Sequence, residues 1–124
     1  MNSPYEALGS ESGVRALVDR FYDVMDGDPS VATIRAMHGD SLEGIRTGLT
    51  LYLTEWLGGP KVFSQRSGGM CLTDAHRGFA LNEQARDEWL YCMEQALADT
   101  ALGTAERDQL KAAFYRIADF MRNM

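Results

Sequence analysis

Only two cysteines and two histidines occur among the 124 residues, and their placement excludes several kinds of chemistry. Cys71 and Cys92 form no CxxC pair, so a redox dithiol has no basis, and in a reducing compartment both are expected to remain thiols. The absence of CxxCH removes covalent haem attachment by that route. His38 and His76 are too few for a multi-histidine zinc site, and no cysteines or carboxylates stand at spacings that would complete one. Long apolar runs are also missing. No stretch approaches the roughly 18 apolar residues of a spanning helix, and the start Met1-Asn2-Ser3-Pro4-Tyr5-Glu6 lacks the basic and apolar parts of a signal peptide. A cytoplasmic protein with no membrane partner is expected. Positive charge is in deficit, with 12 Lys and Arg against 18 Asp and Glu, a net charge of −6 and a pI of about 4.8. Such a surface repels phosphate backbones and anionic lipid, so nucleic acid is not expected as a partner either. Nucleophile elbows, phosphate-cradling glycine loops and HExxH are all absent. Neither an internal repeat nor an alternating strand pattern is present.

What remains is an ordinary globular balance, 45% hydrophobic and 24% charged, in a chain whose length suits one domain over residues 1–124. Its periodicity is helical. Ser3-Pro4 with Tyr5 and Leu8 reads as a short helix ended by Gly9. Val14, Leu17, Val18, Phe21, Tyr22 and Met25 then recur at spacings of three and four; Ser10 or Ser12 is expected to cap this helix, and Gly27 with Pro29 to stop it. Val31, Ile34 and Met37 make one or two turns, broken by Gly39-Asp40-Ser41. Leu42, Ile45, Leu49, Tyr52, Leu53 and Trp56 form the next stripe, which ends at Gly58-Gly59-Pro60. Further on, Asn82 is expected to cap a helix carrying Ala85, Trp89, Cys92, Met93, Ala96 and Leu97 that ends near Gly103. Thr104 is expected to cap a last one carrying Leu110, Phe114, Ile117, Ala118 and Met121. The fold class is all-α.

Between these helices, from Lys61 to about Thr73, no period of either kind is sustained. Loops this long are uncommon in small domains unless they serve a site, and this one leads directly to His76 and Phe79. Taken alone, His76 reads as a partly exposed loop residue rather than a ligand, and Tyr22 and Trp89 as ordinary core aromatics.

A set of segments in fixed order changes that balance. Phe21-Tyr22 is followed by Trp56-Leu57-Gly58-Gly59-Pro60, then by His76 sixteen residues after the proline with Phe79 behind it. Arg86-Asp87-x-Trp89-Leu90 and Cys92-Met93 follow, with Trp89 thirteen residues after His76. Together these resemble group II truncated haemoglobins over nearly the whole chain. The resemblance implies a truncated globin fold, a two-over-two helical sandwich around one haem b (iron protoporphyrin IX). It makes His76 the axial iron ligand, as a neutral imidazole suits iron. It places Tyr22 and Trp89 on the ligand side, where a phenol O–H and an indole N–H would hold a polar diatomic ligand and slow its release. His38 is a third polar group at the corner between helices, with a surface histidine as the alternative. Ile45 and Leu49 are the inward apolar pair of the following helix, and Phe63, Arg66 and Phe79 complete the haem contacts.

The chain also departs from the family's pattern. Gly-His-Pro in the long loop is here Gly68-Gly69-Met70, and Asp74-Ala75 stands where Met-Arg precedes the histidine. A basic residue beside the haem is thus lost, with Arg66, Lys61 and Arg77 left to meet the propionates. Gly78 replaces the proline two residues after the histidine. The function implied is binding of dioxygen, nitric oxide or carbon monoxide, with nitric oxide dioxygenation or peroxide chemistry as the reaction and an unidentified reductase as partner. The alternatives are a gas or redox sensor acting through a partner, and a haem-free helical interaction module.

Overall fold

Ser3 accepts a hydrogen bond from the Glu6 N–H through its hydroxyl at 3.2 Å, and Pro4, whose ring already holds a helical φ, opens the first helix. The computed structural model describes residues 3–38, 42–62, 82–100 and 102–121. Among them all regular structure is helical: α1 (Pro4–Leu8), α2 (Ser10–Gly27), a 3-10 turn (Pro29–Val31), α3 (Ala32–Ala36), α4 (Glu43–Trp56), α5 (Glu83–Ala98) and α6 (Thr104–Met121). Helix α2 packs against α4 on one side and α5 on the other, and α5 packs against α6. This is the two-over-two sandwich that the resemblance implies.

The expected caps divide. Asn82 caps α5 through its side-chain oxygen, which accepts from the Ala85 N–H at 2.9 Å. Neither Ser10 nor Ser12 caps α2: Gly9 occupies the cap position without a side-chain bond, and the Ser12 hydroxyl donates instead to the Gly9 carbonyl at 3.3 Å. The reason is the tightness of the corner. Gly9, with φ of 108°, both closes α1 and opens α2, which leaves no extended residue for a serine cap. The same corner explains an otherwise unfavourable glycine inside α2, because a Cβ on Gly13 would lie 1.9 Å from the Leu8 carbonyl oxygen. Likewise the Gly103 carbonyl accepts from the Arg107 N–H at 3.0 Å, which moves the cap of α6 one residue ahead of Thr104. Helix α5 closes at Ala98, earlier than the glycine at 103 suggests.

The stop after α4 docks α1 onto the sandwich. Gly58 takes a left-handed φ of 101°, and a Cβ on Gly59 would meet the Tyr5 ring at 2.7 Å and the Thr54 carbonyl at 2.8 Å. The Tyr5 N–H donates to the Leu57 carbonyl at 3.0 Å. The first glycine therefore supplies the turn and the second the close approach.

From α2, Val14, Leu17, Val18, Phe21 and Met25 enter the core, meeting Met93 and Leu97 of α5, Leu53 of α4 and Phe114 of α6. Aromatic rings run through its centre: Phe21 lies 5.2 Å from Trp89, Trp89 lies 5.8 Å from Phe114, and Phe114 lies 4.9 Å from Trp56 between centroids. Such pairs contribute on the order of 1 kcal/mol each beyond the area they bury.

Candidate functional site

Tyr22 projects from the core face of α2 and is 3% exposed. Its phenol has no hydrogen bond to any described residue. Burial pushes its pKa far above the ordinary tyrosine range, against a smaller opposing pull from the Arg46 charge. Tyr22 is therefore an O–H donor throughout the physiological range, held at the edge of an apolar core.

His38 stands beside it, with ring centroids 6.1 Å apart and planes at 76°. Its Nδ1 lies 2.8 Å from the Ile34 carbonyl, which only accepts, so that nitrogen carries the proton and donates. This bond ties the ring to α3. A buried carboxylate tethers α3 in turn: Glu88 Oε1 accepts from the Ile34 N–H at 2.9 Å. Trp89, the next residue of α5, is half-buried against Phe21 and Phe114. Tyr22 and Trp89 thus both pack on Phe21, and Tyr22 also meets His38 at the end of α3.

The third wall is α4. Its apolar residues Ile45, Leu49, Tyr52 and Trp56 recur at helical spacing on one face, yet Ile45 is 40% exposed and the other three are only partly buried. In α2 seven residues are buried, whereas in α4 only Leu53 and Thr54 are. Side chains of this kind along one face suit a flat apolar group such as a porphyrin, and a phenol without a partner beside it suits a small polar ligand. By that test the described residues fit a haem. His76, Phe63, Arg66 and Phe79 lie outside the described residues.

Two residues that the periodicity passed over shape this site. Glu88 lies on the same helical face as Ala85 and Cys92, and a carboxylate inside an apolar stripe is the signal that it is buried and bonded. Arg46 sits between Ile45 and the rest of α4, and only the register of α4 against α2 places its guanidinium 5.7 Å from the centre of the Tyr22 ring. Arg86, one of the residues carrying the resemblance, pairs with Asp87 and with Asp119 at 2.8 Å and stacks on Tyr115, so it pins α5 to α6.

Cys92 is a free, fully buried thiol, as its expected reduced state requires, and burial pushes its pKa up to about 12. A thiol raised above its unfolded value stabilises the fold fully below pH 9 and loses that contribution as pH rises toward its folded pKa. Between pH 8 and pH 10 the loss is on the order of 1 kcal/mol. Urea unfolding of Cys92→Ala over that interval should show a decline smaller by about this amount than the unsubstituted protein; parallel declines would mean that the buried thiol is not the group responsible.

No helix among the described residues is long and apolar enough to cross a membrane. No group of three or more His, Cys, Asp or Glu among them is placed to hold a bare metal ion.

The bacterial-like globin family matches residues 3–123. A group 2 truncated haemoglobin of Bacillus subtilis is 34% identical over 101 residues, 82% of this chain and 74% of that one. Among solved structures, the cold-adapted truncated haemoglobin of the Antarctic marine bacterium Pseudoalteromonas haloplanktis superposes with a TM-score of 0.95 at 36% identity, over 99% of each chain. The group II 2-on-2 haemoglobin of Agrobacterium tumefaciens gives 0.94 at 36% identity, over 99% of this chain and 95% of that one. The chain belongs to the bacterial-like globin family as a group II truncated haemoglobin, and with that membership goes haem-based binding of small ligands such as dioxygen.

Proposed function

We propose that the chain holds one non-covalent haem b through His76, presents Tyr22, Trp89 and His38 to a diatomic ligand on the opposite face, and serves redox chemistry on dioxygen and nitric oxide. The observation that carries this reading is the buried Tyr22 phenol. It keeps its proton, lacks a partner among the described residues, and stands beside His38 and near the half-covered apolar face of α4. The haem would supply a reducible iron with an open position for the ligand. The chain's own residues do the rest. Tyr22 and Trp89 donate hydrogen bonds to a ligand that has acquired negative charge, Ile45 and Leu49 keep the pocket narrow and apolar, and Arg66, Lys61 and Arg77 are the bases available to the propionates.

Retained dioxygen can meet nitric oxide and leave as nitrate, a reaction that withdraws one electron from the protein per turnover. A separate one-electron reductase in the cytoplasm must restore it. The test is to mix reduced protein, equilibrated with dioxygen, with one equivalent of nitric oxide in a stopped-flow instrument. Rapid formation of about one nitrate per haem with oxidation of the protein is expected; slow autoxidation without nitrate would contradict the assignment and leave peroxide turnover as the chemistry to test.

A further inference from the structure

Asp19 and Asp23 lie one turn apart on the outer flank of α2, with Tyr22 between them in sequence. Two carboxylates at this spacing repel each other and disfavour the helix unless a cation stands between them. Arg46 of α4 is that cation. Its guanidinium donates to the Asp19 side chain and to the Asp19 carbonyl, each at 3.1 Å, and to the Asp23 carboxylate at 2.9 Å. Its side chain is only 15% exposed, whereas those of Asp19 and Asp23 are 41% and 60% exposed, so the arginine is the enclosed partner of the three. Arg15 also donates to the Asp19 carboxylate, at 3.1 Å to the oxygen that Arg46 contacts and at 3.2 Å to the other. The planar fork is thereby fixed at a height where it faces the Tyr22 ring, 5.7 Å from its centroid. Lysine at this position would hold one carboxylate as a point charge and would lack the fork that meets two carboxylates and a carbonyl together.

We propose that Arg46 is the positioning residue for Tyr22. By joining α4 to α2 across the ring, it confines the phenol to one orientation and keeps its O–H aimed into the pocket, so that the strength of the ligand-side hydrogen bond is set from outside the pocket. This rests on the reading of Tyr22 as the ligand's donor, but the confinement of the ring does not.

The experiment therefore reads both. The protein labelled with 3-fluorotyrosine, purified with its haem and saturated with carbon monoxide, gives a fluorine NMR resonance for Tyr22 that is assigned by its disappearance in Tyr22→Phe. Arg46→Met keeps the apolar stem and removes the fork. The Tyr22 resonance should shift and broaden, the C–O stretching band of the carbonmonoxy form should split into more than one component, and dioxygen should dissociate about three- to tenfold faster. Arg46→Lys should recover these properties only in part. Asp23→Asn, which removes one arm of the clamp and leaves Tyr22 and Arg46 in place, should move the same resonance in the same direction by less, and it decides the matter by the same criterion if Arg46→Met loses its helical circular dichroism. An unchanged Tyr22 resonance in Arg46→Met and Asp23→Asn would overturn the proposal. A resonance that moves while dioxygen release stays constant would uphold confinement of the ring and refute its link to the ligand.

Discussion

His76→Ala is expected to abolish haem retention or weaken it by at least about a hundredfold, the scale on which loss of a metal-ligand interaction is felt. On the proposed reading the imidazole nitrogen would be the one bond from the chain to the iron, whereas the apolar walls would contribute through contact area that many flat molecules would match. Expression with adequate haem, followed by transfer of haem to a high-affinity acceptor, measures the loss. Addition of free imidazole to the variant should restore part of the absorption spectrum by supplying the missing ligand without the side chain. Unchanged haem content and axial ligation in His76→Ala would show that another residue binds the iron.

The second large effect concerns release of dioxygen. Tyr22→Phe removes one hydroxyl and keeps the ring against Phe21 and His38, so the cavity shape is preserved while the donor is lost. A hydrogen bond contributes about 1 kcal/mol net, and up to about 3 kcal/mol when the acceptor carries charge, which sets the expected increase in dissociation rate between about fivefold and a hundredfold. Trp89→Phe removes an indole N–H in the same manner, and its ring must still fill the space between Phe21 and Phe114. On the proposed reading both donors would meet one small ligand, so their effects should not add, and the double variant reports the coupling directly. A dissociation rate in Tyr22→Phe equal to that of the unsubstituted protein would remove Tyr22 from the ligand side, whatever the behaviour of Trp89.

The same residues show where a linear reading of the chain succeeds. The stripes on α2, α4, α5 and α6 are legible because burial on one side of a helix imposes a period of three to four residues, and Phe21, Leu53, Met93 and Phe114 occupy the core as that period requires. Gly58-Gly59 is legible as a stop, although the separate duties of its two glycines emerge only once Tyr5 is seen against them. Caps are less legible, since Ser10 and Ser12 have the right chemistry but stand at a corner too tight to use it. Arg46 and Glu88 are not marked by the periodicity, for different reasons. Glu88 is bonded to a backbone N–H more than fifty residues away, although a carboxylate on an apolar face is itself a sequence signal of burial. Arg46 gives no such signal: a basic residue near the start of a helix looks like solvent-facing charge, and its partners Asp19 and Asp23 are fixed by the angle at which two helices cross. The proposed ligand-side group of Tyr22, His38 and Trp89 is suggested in the sequence only by the order of family segments, because these residues come from elements whose separation exceeds any local pattern.

The most direct measurement is the absorption spectrum of the purified, haem-supplied protein in its ferric and ferrous states, with and without carbon monoxide. An intense Soret band that sharpens and shifts when carbon monoxide binds the reduced protein is the predicted result, since it needs a bound porphyrin, a histidine on one face and an accessible position on the other. Protein that stays colourless after expression and reconstitution with haem, while retaining its helical circular dichroism, would contradict the assignment of this sandwich to haem.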